Sequence, residues 1–155
     1  MLNLRNIIVP FDGSENSILA VKYGASFVAE YGANLKIVYV AETSNLESID
    51  LKLHDSLNIR KKLAELHKDK VEKMLMKNLG NVLEGVDYEL EILPGDVVSA
   101  VIDYAREIEA DLIIIGSYGM SEYKPAWLGS STYRIVKEAP CPVLTVKTKE
   151  REFVV

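Results

Sequence analysis

The chain has 155 residues, 48% of them apolar, with 18 basic and 23 acidic side chains and a net charge of −5; this suits one soluble domain with a full core. The acidic balance excludes a nonspecific nucleic-acid binder, which needs a basic face, and a single cysteine excludes an internal disulfide. No apolar run approaches the roughly 20 residues that cross a bilayer, and Met1 to Asn6 is too short and polar for a signal peptide, so no membrane role and a cytoplasmic address are expected.

Asn6 to Phe11 reads as a first strand, with Ile7, Ile8 and Val9 at its heart. Asp12-Gly13-Ser14 ends it, and Ser14 is placed to cap a helix running to about Tyr31. That helix carries an apolar stripe at Ile18, Val21, Ala25 and Val28, and Gly32 stands where a terminating glycine belongs. Leu35 to Val40 is the second strand. Ala41 to Ile59 is polar and weakly periodic, and reads as a long loop. A second helix is expected from about Leu57 to Leu79, with Leu63, Leu66, Val71, Met74 and Leu75 toward the core and Gly80 as its stop.

Val86 to Ile92 alternates apolar and acidic residues, the mark of a strand with one wet face at a sheet edge. Pro94-Gly95 turns the chain, and Asp96 is a candidate cap for a third helix ending near Glu109. Its core stripe is Val97, Ala100, Val101, Tyr104, Ala105 and Ile108. Leu112 to Ile115 is short and apolar on both faces, as in a buried parallel strand. A short helix from Ser131 to Glu138 is stopped by Pro140. Pro142 to Val146 is a fifth strand, and Lys149 to Val155 is a tail. Five strands alternating with four helices give a parallel α/β sheet.

The chemistry concentrates between Leu112 and Val146. The fourth strand runs into Gly116-Ser117-Tyr118-Gly119, and Leu128-Gly129-Ser130-Ser131 opens the last helix. Gly116 lets the backbone turn freely and lets a ligand approach. Ser130, Ser131 and Thr132 are good cap residues, and the free N–H groups of that helix end can hold a phosphate. Neither G-x-x-x-x-G-K-[ST] nor G-x-G-x-x-G occurs. The pattern is glycine, two residues, glycine, nine residues, glycine, serine: Gly116, Gly119, Gly129, Ser130.

That spacing resembles the nucleotide-binding signature of the universal stress protein (UspA) family, in its ATP-binding subgroup. Ile8-Val9-Pro10-Phe11-Asp12-Gly13-Ser14 resembles the family's opening, and Ala139-Pro140-Cys141-Pro142-Val143-Leu144 its terminal strand. The resemblance covers almost the whole chain. It implies a Rossmann-like three-layer sandwich whose five-stranded parallel sheet has the order 3-2-1-4-5, so that the loops after strands one and four share a crevice. It also implies an adenine nucleotide, ATP or AMP, with Mg²⁺ or Mn²⁺, and a homodimer through Val143 to Val146 that controls an unknown protein partner.

By that resemblance Pro10, Phe11 and the backbone of Val40 meet the base. Asp12 meets a ribose hydroxyl, the adenine edge or a divalent ion; read by itself, it is equally a loop carboxylate that caps the next helix. Gly116, Gly119, Gly129, Ser117, Ser130 and Ser131 form the phosphate cradle, and each glycine taken singly is an ordinary turn residue. One departure stands out. Between Gly119 and Gly129 nucleotide-binding members carry several basic residues, whereas here Lys124 is the only one and Glu122 opposes it. A triphosphate then depends more on a metal ion. Trp127 and Leu128 are expected to pack in the core or at an interface, His54 and His67 to be surface groups, and Cys141 to be buried and inert.

Two other functions compete. One is a dimeric stress protein that binds no nucleotide. The other is a slow ATP-hydrolysing or adenylating enzyme on the same sheet; such enzymes carry Ser-Gly-Gly-x-Asp-Ser after strand one, and Phe11 to Ser17 does not match it.

Overall fold

The computed structural model describes residues 1–42, 56–118 and 128–148. The elements follow as β1 (Asn6–Pro10), α1 (Glu15–Tyr31), β2 (Asn34–Ala41), α2 (Ser56–Leu83), β3 (Tyr88–Pro94), α3 (Val97–Glu107), β4 (Leu112–Gly116), α4 (Ser130–Glu138) and β5 (Val143–Val146). The strands form one parallel sheet in the order β3-β2-β1-β4-β5. This is the expected Rossmann-like α/β fold, with β1 and β4 adjacent at the point where the winding reverses.

Strand alternation divides the core into two layers. Ile7, Val9, Leu35, Ile37 and Ile114 point to the side covered by Val21 of α1 and by Leu63, Val71, Leu75 and Leu79 of α2. Ile8, Val38, Ile113 and Ile115 point to the other side, against Val98, Val101, Ile102 and Tyr104 of α3 and Ile135 of α4. Ile7, Ile8, Val9, Ile113 and Ile114 are fully buried, because the central strands are covered on both faces.

Local signals set most boundaries. The Ser14 side chain accepts from the Ser17 amide at 3.2 Å and caps α1. Gly32 closes that helix in the left-handed region at φ 67°, with its N–H on the Val28 carbonyl. Asp96 caps α3, accepting from the Val98 and Ser99 amides at 3.1 and 3.2 Å. Those bonds hold its carboxyl below the usual carboxylate range, the Ser99 bonds contributing most.

Several expectations shift. Gly80 does not stop the second helix: α2 continues to Leu83, and Gly85 at φ 74° follows it. Leu79 and Leu83 are both buried, and packing them outweighs the cost of about 1 kcal/mol for a helical glycine. Leu66 is 68% exposed and lies outside the core. The third strand begins at Tyr88 instead of Val86, since pairing with β2 runs from Leu35↔Tyr88 to Ala41↔Pro94, while the Val86 amide closes the turn onto Leu83. β3 is an edge strand, as its alternation indicates. The third helix ends at Glu107 and the last begins at Ser130. Most of the polar segment after β2, together with His54, Trp127 and the tail from Lys149, lies outside the described residues.

Two substitutions test this account. A methyl at position 80 meets nothing within 4 Å, so Gly80→Ala should stabilise the protein by about 0.5–1 kcal/mol in urea unfolding; a loss of stability would contradict an uninterrupted α2. Asp96→Ala should cost about 1 kcal/mol at neutral pH. The Asp96 carboxyl is depressed in the folded state, so its contribution is present above the ordinary carboxylate pKa and disappears as pH falls through the folded value. The gap between wild type and variant should therefore close in acid, and a gap independent of pH would argue against the cap.

Candidate functional site

At the carboxyl ends of β1, β2 and β4 the chain encloses a cavity of ≈ 490 Å³, within the usual range for a small-ligand site. Of the residues singled out in the sequence, Pro10, Phe11, Asp12, Val40, Gly116, Gly129 and Ser131 line it together. Ser117 and Ser130 do not line it. The Ser117 side chain is buried and its hydroxyl accepts from Asn16 Nδ2 at 3.4 Å, so it serves the interior of the junction and not the open space. Gly119 lies outside the described residues, as do Glu122 and Lys124.

The loop after β1 is built by short-range bonds. Asp12 Oδ1 accepts from the Ser14 amide at 2.9 Å, an Asx-type turn that passes through Gly13 at φ 86°. The Ser17 hydroxyl donates to the Ser14 carbonyl at 2.9 Å and lies 3.4 Å from the Asp12 amide. Asp12 thus shapes its own turn without capping α1, whose cap is Ser14, and it also lines the cavity, as the functional reading requires. The Phe11 amide donates to the Val38 carbonyl at 2.8 Å, which carries the β1–β2 pairing up to the rim.

The opposite wall is the start of α4. Gly129 is its N-cap and has no side chain with which to cap the helix. The cap position expected to hold a serine is a glycine, and the start of this nine-residue helix, with its N-terminal dipole, forms part of the cavity wall. Thr132 also lines the cavity, and its hydroxyl donates to the Gly116 carbonyl at 2.8 Å and ties α4 to β4. Gly116 itself is needed for close approach. A Cβ there would stand 2.8 Å from Asn16 Cβ and 3.0 Å from the Asn16 carbonyl carbon, so α1 packs directly on the end of β4.

Sequence reasoning missed part of the lining. Ser14, Tyr39, Glu42, Val97 and Tyr118 also face the space. Glu42 and Val97 sit just past the ends of β2 and β3, where neighbouring strands place them; position after a strand was the available signal. Asp12 and Glu42 are carboxylates, and no lysine or arginine occurs among the described residues that line the cavity. No three His, Cys, Asp or Glu side chains gather into a metal site among the described residues. Cys141 is half-buried, not buried; desolvation first, and then the charge of Asp111, push its thiol upward, which keeps it protonated and unreactive. Leu128 is 38% exposed and so is not part of the core of this chain. No helix among the described residues is long and apolar enough to cross a membrane.

The profile of the universal stress protein family matches residues 3–147. The chain belongs to the universal stress protein family. The universal stress protein MJ0531 of Methanocaldococcus jannaschii is 31% identical over 149 residues, 96% of this chain and 85% of its own length. Among solved structures, universal stress protein UspA of Lactobacillus plantarum superposes with a TM-score of 0.74 at 24% identity, covering 95% of this chain and all of the other. The universal stress protein of Archaeoglobus fulgidus in complex with dAMP superposes with a TM-score of 0.63 at 17% identity, covering 94% and 100%. At these identities the two structures establish likeness of fold.

The close approach at Gly116 yields a prediction. Gly116→Ala should destabilise the stress protein by about 1–3 kcal/mol, since the methyl meets backbone that cannot swing aside. Equilibrium unfolding reads this, and an unchanged midpoint would show that α1 does not rest on β4 as described.

Proposed function

We propose that this chain is a single-domain nucleotide-binding regulator of the stress response, taking AMP or ATP together with Mg²⁺ or Mn²⁺. The observation that carries the reading is the cavity itself. Pro10, Phe11 and Val40 supply an apolar wall for a base on one side, and the start of α4, with Gly129 as its N-cap, faces it on the other. A planar apolar group and an anion on opposite walls describe a nucleoside phosphate. The dAMP held by the Archaeoglobus fulgidus neighbour is of the same ligand class.

The donor set supports a particular role for the cation. Asp12 and Glu42 offer hard oxygen donors suited to Mg²⁺, but two carboxylates alone do not make a cage. The ion would be held chiefly by the phosphates, with Asp12 as the protein ligand. It would also offset the acidic lining, since the span 119–127 carries one lysine against one glutamate. ATP should therefore need the metal more than AMP does. Asp12 is engaged with the Ser14 amide, which suits binding rather than proton abstraction. In this reading the protein signals by occupancy and not by turnover. β5 is an edge strand, and pairing with its copy in a second chain would cover that edge and provide a surface for a protein partner.

Calorimetric titration with AMP, ATP and GTP, with and without Mg²⁺, tests the reading. Saturable, adenine-selective binding is expected, with the larger metal dependence for ATP. Ser131→Glu should leave α4 intact, because an acid suits a helix N-terminus, yet should weaken AMP at least about tenfold by repulsion across a few ångströms. No binding up to millimolar concentration would leave a stress protein without nucleotide. Unchanged affinity in Ser131→Glu would move the phosphate away from α4.

A further inference from the structure

Asn16 is the first-turn residue of α1 that packs on Gly116, and it is fully buried. A buried carboxamide is retained only if its polar atoms are satisfied, and here the two ends serve different elements. Nδ2 reaches the Ser117 hydroxyl at 3.4 Å. Oδ1 accepts from the Thr148 amide at 2.9 Å. Thr148 lies two residues past β5 and 132 positions away in sequence.

Ser117 is itself a junction. Its amide donates to the Val146 carbonyl at 2.7 Å, and its carbonyl accepts from the Gly129 amide at 2.6 Å. Gly129 is the cap of α4 and part of the cavity wall. A continuous polar path therefore runs from the cavity wall through Gly129, Ser117 and Asn16 to the chain that leaves β5. Thr148 does not line the cavity, so the path joins the site to a place the ligand does not touch.

We propose that Asn16 is a positioning residue that couples occupancy of the cavity to the chain leaving β5. The inference rests on the nucleotide-binding reading and concerns regulation of that same site. A phosphate that fixes the Gly129–Thr132 turn also fixes Ser117. Ser117 then holds the Asn16 carboxamide, and the carboxamide holds the Thr148 amide. Ordering passes along bonds that already exist, without a new conformation, and it appears as reduced local opening at the end of β5.

The test combines amide hydrogen exchange at Thr148 with AMP affinity, using AMP and Mg²⁺ as the probe. In the wild type, saturating AMP should slow exchange of the Thr148 amide at least about threefold. Asn16→Ala should make that exchange fast with or without AMP. Because Asn16→Ala opens a buried hole, Thr148→Pro provides a second arm: it removes the N–H donor and leaves both Asn16 and the cavity lining unchanged. It should weaken AMP about 3- to 10-fold. A third variant separates positioning from plain packing. Asn16→Asp keeps an acceptor for Thr148 but buries a carboxyl whose ionisation opposes the phosphate, so its AMP affinity should fall as pH rises, relative to wild type. If the wild type takes up no AMP, the functional reading fails and the inference falls with it. If AMP saturates the wild type but Thr148 exchange does not change, or Thr148→Pro binds AMP as tightly as wild type, the inference alone is overturned.

Discussion

The close contact between the first turn of α1 and the end of β4 is the constraint on which the site depends. It exists because position 116 has no side chain: any Cβ there would meet the backbone and side chain of Asn16 within about 3 Å. With the gap closed, the loop after β1 and the start of α4 stand on either side of one crevice. The Thr132 hydroxyl on the Gly116 carbonyl and the Gly129 amide on Ser117 lock α4 to the same point. A larger residue would push α1 away and separate the Asp12 turn from the helix end that faces it. Chain topology places β1 beside β4; the missing side chain determines how near the two loops come.

The two sheet edges are treated differently. On the β3 side, Arg60 of α2 forms a bidentate pair with Glu107 of α3, at 2.8 and 3.2 Å, with its guanidinium 6.0 Å from the centre of the Tyr104 ring. The two helices lie on opposite faces, so this bridge passes the edge of the sheet and shields β3, while contributing little free energy of its own at a half-exposed position. Lys36 pairs with Glu89 along the same edge. β5 has four residues and is held at its far end by the Asn16–Thr148 bond. A path of hydrogen bonds through Asn16 and Ser117 joins that edge to Gly129 in the cavity wall.

The sheet order and most helix ends were legible because their signals are local or follow from the family resemblance. Ser14, Gly32 and Asp96 each act on their own backbone within three or four residues, and the strands declare themselves by unbroken apolar runs. What was misread depends on distant packing. Gly80 looks like a stop until Leu83 is seen buried four residues after Leu79. Val86 to Ile92 alternates well, but pairing with β2 decides which residues join the ladder. At the site, the glycines and the wall residues were visible as a motif, whereas Glu42, Val97 and Tyr39 come together only through strand order. Asn16 was missed altogether. In the sequence it is one more polar residue at a helix start, and its partners lie 101 and 132 positions away. Ser117 was assigned to the phosphate by position, yet its hydroxyl faces the interior, a direction that spacing alone does not encode.

The central claim is that an adenine nucleotide sits between the Asp12 turn and the start of α4. Backbone amide chemical shifts, followed while AMP and Mg²⁺ are added, test this most directly. The account predicts saturable shifts concentrated at Gly116 and at residues 129–132, with Asp12 and Val40 responding at the same ligand concentration. Shifts confined to another surface, or none at saturating AMP, would contradict it.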